Sequence, residues 1–131
     1  MQQVNVGIIG FGTVGAGTVD ALINNRETIS SRVGSEIVIK RIADLDIESD
    51  RGISLPPGIL TRDADTIIND PDIHIVVELI GGLKKAKEYI LAALKKGKHV
   101  VTANKALLAE FGGEIYRAAE ENGVNIGFEA S

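Results

Sequence analysis

The chain has 131 residues, with 14 Lys+Arg against 18 Asp+Glu for a formal charge of −4, and it contains no Cys or Trp. Its length suits one domain, and 44% hydrophobic with 24% charged residues is the balance of a chain that folds, not of a disordered tail. Disulfides, thiolate metal sites and Cys nucleophiles are excluded, the acidity gives no pull toward nucleic acid, and no apolar run approaches the roughly 18 residues of a bilayer span, so a soluble cytoplasmic protein with no membrane partner is expected.

Residues 4–9 (VNVGII) form a short apolar run that reads as a buried strand, and Val14, Val19, Leu22 and Ile23 then recur near helical spacing, predicting a helix from residue 13 into the late twenties. The polar stretch 24–35 reads as a loop. Residues 36–44 (EIVIKRIAD) carry the β-branched content of a second strand, and a weak helix over 63–69 is stopped by Pro71.

A third apolar run, 73–79 (IHIVVEL), closes at Gly81-Gly82, and residues 83–96 place Ala86, Ile90, Ala93 and Leu94 on one face of a helix with lysines on the other. Residues 99–102 (HVVT) turn extended, a later helix carries Ile115, Ala118 and Ala119, and 125–129 (NIGFE) form a last extended run. Gly97 and Gly123 each follow a helix where a left-handed closing residue is wanted. Apolar strands without strict period-two patterning, alternating with helices, predict an α/β fold: a doubly wound parallel sheet with helices on both faces, one domain over 1–131, and ligands at the carboxyl ends of the strands.

Of 15 glycines, five (Gly7, Gly10, Gly12, Gly15 and Gly17) fall within eleven residues. Gly10-Phe11-Gly12-Thr13-Val14-Gly15 matches G-x-G-x-x-G between a predicted strand and a predicted helix, the setting in which that spacing belongs to a Rossmann dinucleotide site. Gly10 would make the tight turn, Gly12 admit a pyrophosphate to the backbone, and Gly15 let helix and strand pack closely. The competing reading is a strand-to-helix turn with no ligand.

Such a site wants an acidic residue after the second strand to hold the adenosine ribose. Asp44 is in that structural place, although it lies 29 positions beyond Gly15 where about 20 is usual. A carboxylate there favours NAD over NADP, and Arg41 or Arg51 could reverse the preference. Alternating Asp44, Asp46, Glu48 and Asp50 hint at calcium, but Ser49 and Leu55 stand where an EF-hand loop needs Gly and Glu.

Glu78 and Glu129 each end an apolar run, where an unpaired carboxylate is costly, so each reaches solvent or has a purpose at the ligand edge. Lys105 follows Asn104, a candidate N-cap, in a first helical turn where the dipole disfavours a cation by about 0.3–1 kcal/mol. Either it meets a ligand or it is a solvated lysine that swings away. The lysines at 84, 85, 87, 95, 96 and 98 read as the polar side and end of one helix, and neither His74 nor His99 is assigned to a metal or to catalysis.

VGIIGFGTVG, VVELIGG, AALKKGKHVVTANKALLA and FEAS, in that order over nearly the whole chain, resemble the N-terminal cofactor-binding domain of homoserine dehydrogenase. The glycine motif is shared with many dehydrogenases; ELIGG followed by HVVTANK is specific to this family and its fusions with aspartate kinase. The resemblance implies an enzyme that interconverts L-homoserine and L-aspartate 4-semialdehyde with NAD or NADP, on the route to threonine and methionine. By position, Gly10 through Gly15 bind the pyrophosphate, Gly81 lies in a turn at the ligand edge, and Thr102 and Lys105 line the nicotinamide end. Lys105 matches one of two lysines implicated in substrate and proton handling, and Glu129 a glutamate that helps hold a monovalent cation, usually sodium.

The family's second domain, which binds homoserine and forms the homodimer, enters directly after FEAS and is absent from this chain, so cofactor binding without turnover is expected. Two other readings stay open: a stand-alone dinucleotide-sensing module, and the cofactor domain of a related amino-acid dehydrogenase or reductase such as aspartate dehydrogenase or dihydrodipicolinate reductase. The TANK segment argues against the related enzymes.

Overall fold

A computed structural model of the chain describes residues 2–10, 35–44, 59–80, 83–102 and 104–128. These form, in chain order, β1 (Gln2–Ile9), β2 (Ser35–Ala43), β3 (Leu60–Thr61), α1 (Ala64–Ile68), β4 (Ile75–Glu78), α2 (Lys84–Lys95), β5 (His99–Thr102), α3 (Lys105–Glu121) and β6 (Ile126–Phe128). All neighbouring strands pair in parallel, in the order β3-β2-β1-β4-β5-β6. The order reverses between β1 and β4, and the crevice outside the carboxyl ends of a parallel sheet at such a reversal is where ligands bind.

Consecutive residues Ile8 and Ile9, on opposite faces of the central strand, are both buried, as in a parallel sheet covered on its two sides. Ile9, Val76 and Val100 belong to one core with Ile67 of α1, Ile90 and Leu94 of α2, and Leu107 and Ile115 of α3. Val6, Ile8, Ile42 and Ile59 form the second core, on the other face. The three described helices therefore share one face; the helix expected from residue 13 onward lies outside the described residues.

The second core depends on an irregularity in β2. Pairing runs Val6 with Ile39 and then Gly7 with Arg41, so Lys40 is skipped. Because strand side chains alternate, that one-residue shift puts Ile37, Ile39 and Ile42 on the same face although their numbers change parity. The skipped Lys40 reaches the carboxylate of Asp70, Nζ to Oδ2 2.8 Å.

The helices start and stop where side-chain chemistry dictates. Asp63 caps α1 by accepting from Asp65 N at 2.9 Å, and Asn104 caps α3 by accepting from Leu107 N at 3.0 Å. α2 has no side-chain cap, and it ends into Gly97 at φ +78°, as α3 ends toward Gly123 at φ +66°. Lys87 ties α2 to α3: its Nζ lies 2.8 Å from Glu114 and 4.2 Å from the centre of the Phe111 ring.

The amino edge of the sheet is fastened by three buried or bridging groups. Lys98 is buried, and its ammonium donates to the carbonyl oxygens of Asp70 and, at 2.8 Å, of Ile73. His74 Nδ1 accepts from Asn5 N at 3.0 Å and His99 Nδ1 accepts from Asn125 N at 3.1 Å, so one imidazole holds β1 and the other the residue that leads into β6. Both rings thus carry their proton on Nε2 when neutral, a structural use for two residues that sequence left unassigned.

Candidate functional site

At the opposite edge, β1 runs out into Gly10, whose φ of +103° belongs to glycine. The backbone ladders persist one step past the strands: Gly10 N donates to Ala43 O at 2.7 Å, Leu79 N to Ile9 O at 2.8 Å, and Asp44 N to Thr61 O at 2.9 Å. The exits of β1, β2 and β4 are therefore held in one layer. A β-carbon on Gly10 would lie 2.8 Å from Ile80 N and 2.9 Å from Leu79 C, so the turn after β1 is packed against the backbone leaving β4.

A cleft of about 480 Å³ opens at this edge, lined by Gly10, Ala43 and Asp44 on one side, Leu79 and Ile80 on another, and Arg62, Lys85 and Tyr89. Its size is within the range of small-molecule sites, with few polar groups on an apolar wall. Asp44 is half-buried in it and Arg62 exposed. The cleft thus brings a carboxylate and two cations, Arg62 and Lys85, to the end of β2 and the start of α2.

Further along the edge, Glu78 ends β4 and Thr102 ends β5, and the two pair directly across the strands. Both side chains are fully buried. Thr102 Oγ1 donates to Glu78 Oε1 at 2.7 Å, Ile80 N donates to Glu78 Oε2 at 2.9 Å, and Asn104 N donates to Thr102 Oγ1 at 3.0 Å. Lys105 follows as the exposed first residue of α3.

Of the residues singled out from sequence, Gly10 and Asp44 come together on the cleft, and Thr102 and Lys105 lie at the exits of β5 and into α3 on the same sheet edge. Phe11, Gly12, Thr13, Val14, Gly15, Gly81 and Glu129 lie outside the described residues. Sequence reasoning missed Arg62, because β3 is only two residues long and carries no periodicity. It also missed Tyr89 and gave Lys85 to a solvated helix face; Lys85 is indeed largely exposed and faces Glu88 at 3.7 Å, yet it lines the cleft. Among the described residues no group of three or more His, Asp or Glu could hold a metal, and no helix is long and apolar enough to cross a membrane.

Residues 10–129 match the family model described as the NAD-binding domain of homoserine dehydrogenase. The chain is 42% identical over 131 residues to homoserine dehydrogenase of Bacillus subtilis and 46% identical over 131 residues to that of Neisseria gonorrhoeae, in each case covering the whole chain and 30% of the relative. Among solved structures, it superposes on Staphylococcus aureus homoserine dehydrogenase at pH 7.0 with a TM-score of 0.90 and 40% identity, covering 99% of this chain and 33% of that one. On the Thiobacillus denitrificans homoserine dehydrogenase the TM-score is 0.89 at 46% identity, covering 98% of this chain and 30% of that one. The chain thus spans about 30% of the length of the curated relatives it matches.

Proposed function

The chain belongs to the homoserine dehydrogenase NAD-binding-domain family, and on that footing we propose that it holds the nicotinamide dinucleotide of an enzyme interconverting L-homoserine and L-aspartate 4-semialdehyde. The observation that carries this reading is the placement of Gly10, at positive φ against Ile80, beside Asp44 on one cleft at the point where strand order reverses. The residues present fit the cofactor: a positive-φ glycine at the exit of β1, a carboxylate for ribose hydroxyls, and apolar walls for a base.

In this reading Gly10 through Gly15 cradle the pyrophosphate, Asp44 accepts from the adenosine ribose and so favours NAD, Gly81 belongs to a cofactor-binding turn at the ligand edge, and Thr102 and Lys105 line the nicotinamide end. When bound, the oxidised nicotinamide supplies a hydride acceptor. The protein's share is orientation and charge. Lys105, a cation at the opening of α3, stabilises the developing alkoxide oxygen of the substrate and gives it a proton when the aldehyde is reduced. Glu129, from its place in FEAS, is assigned to a monovalent cation such as sodium. A second domain would bring the substrate and the homodimer contact, and the enzyme would work in the cytoplasm.

Calorimetric titration of this chain with NADH and NADPH tests the reading. Saturable binding of at least one, tighter for NADH, is expected. Binding of neither would remove the cofactor assignment from the isolated domain.

A further inference from the structure

Glu78 is fully buried, and a buried carboxylate is expensive unless its oxygens are used. Both are, and by groups that leave the sheet in different directions. Oε2 receives the N–H of Ile80, the residue whose backbone lies against Gly10, and Oε1 receives the hydroxyl of Thr102. Thr102 spends its hydrogen on Glu78, and its oxygen accepts the N–H of Asn104. Asn104 in turn caps the helix that opens with Lys105.

We infer that Glu78 is a positioning residue that fixes both rims of the site at once, the β4 exit that abuts the glycine turn and, through Thr102, the β5 exit that presents Lys105. The inference rests on the reading that this edge holds the dinucleotide and that Lys105 serves the reaction. Both oxygens of Glu78 are engaged and its side chain is fully buried, so the carboxylate acts through its two neighbours. A single buried group thereby makes the distance between the phosphate end and the reacting end of the site a property of one hydrogen-bonded unit.

A Gln at 78 keeps shape but offers one acceptor oxygen and no charge, so Thr102 can stay bonded to it only by accepting from the amide with its own hydrogen displaced, and the hold on both rims weakens. Amide hydrogen exchange in this domain, compared between wild type and Glu78→Gln, should show faster exchange at Ile80, at Asn104 or at both, by about tenfold, with the β1–β2 amides unchanged. In a homoserine dehydrogenase carrying this domain, Glu78→Gln should lower kcat about ten- to a hundredfold with KM for the amino-alcohol within a few-fold. The double variant Glu78→Gln/Lys105→Ala should be no slower than Lys105→Ala alone. Should Glu78→Gln not fold, Thr102→Val and Thr102→Ser carry the same test through exchange at the Asn104 amide, about tenfold faster in Val, which has no hydroxyl, and close to wild type in Ser.

Unchanged exchange at both Ile80 and Asn104, losses that multiply in the double variant, or equal Asn104 exchange in Thr102→Val and Thr102→Ser would each overturn the inference. Normal turnover in Lys105→Ala would instead overturn the catalytic reading of Lys105, and the exchange result would then decide alone whether Glu78 holds both rims.

Discussion

Gly10 and Ile80 approach so closely that a β-carbon on Gly10 would stand 2.8 Å from the Ile80 amide nitrogen. Backbone cannot rotate out of the way as a side-chain tip can, and φ at Gly10 is +103°, a region that L side chains rarely adopt. Gly10→Ala should therefore lose about 1–3 kcal/mol of stability through overpacking and strain. It should also weaken dinucleotide binding at least about tenfold, by about 1.4 kcal/mol or more. Chemical denaturation and calorimetric titration of the same variant check both; an unaltered Kd would separate the turn from the cofactor.

Lys105 is exposed at the start of α3, so its removal should cost little stability, within about 0.5 kcal/mol. In a complete enzyme, Lys105→Ala should nevertheless lower kcat about 10²- to 10⁴-fold while dinucleotide affinity stays within a few-fold. Steady-state kinetics beside a binding titration measure the split. Unchanged turnover removes Lys105 from the chemistry.

Cofactor choice should turn on Asp44. Its carboxylate shares the cleft with Arg62 and Lys85, so Asp44→Asn leaves two cations facing a neutral side chain. The ratio of NADPH to NADH affinity should rise about tenfold, equivalent to about 1.4 kcal/mol. Paired titrations of wild type and variant decide it, and a constant ratio would show that Asp44 does not read the ribose.

Asp70 lies in a salt bridge with Lys40, whose hydrogen bond holds the carboxyl below its ordinary value. A carboxyl depressed by folding stabilises the native state above its unfolded value of 3.8, and that stability disappears as pH falls through the lower folded value. Asp70→Asn should thus be less stable at neutral pH, by a few tenths to about 1 kcal/mol for a partly exposed pair, and its Tm should fall less steeply in acid. Tm measured from neutral pH down into the acid limb tests this; parallel curves would refute it.

Burial lowers the pKa of Lys98 below 10.5. Between the folded and unfolded values the unfolded chain binds more protons, so this residue makes stability rise with pH over that alkaline interval. Lys98→Met removes that rise and leaves the carbonyls of Asp70 and Ile73 without their donor, a loss of about 1–3 kcal/mol at neutral pH. Urea unfolding at neutral and alkaline pH reports both effects. An unchanged midpoint would show that the carbonyls find other donors.

The elements that sequence reveals are those in which one local rule operates. The run HVVT becomes β5 over the same four residues because β-branched side chains and the preceding Gly97 both demand it. Asn104 is legible as a cap because Leu107 N needs an acceptor there. Leu60-Thr61 is not legible as β3, since two residues carry no period and only pairing with Ile42 and Ala43 makes them a strand. The skip at Lys40 is equally hidden, because it is set by what Ile42 must face. At the site, Gly10 and Asp44 are visible as residue types after strands. The hold of Glu78 on Thr102 is a cross-strand register, and sequence shows only that each ends an apolar run.

β5 is four residues long, a span of roughly 13 Å at about 3.3 Å per residue. Lys98 and His99 anchor one end of that span, and Thr102 reaches Glu78 at the other. The proposed site and the fastening therefore occupy opposite tips of the same short rod. A dye, an affinity handle or a stabilising ion pair placed among Asp70, Asp72 and Asn125 would report on, or reinforce, the whole sheet while leaving the ligand rim untouched.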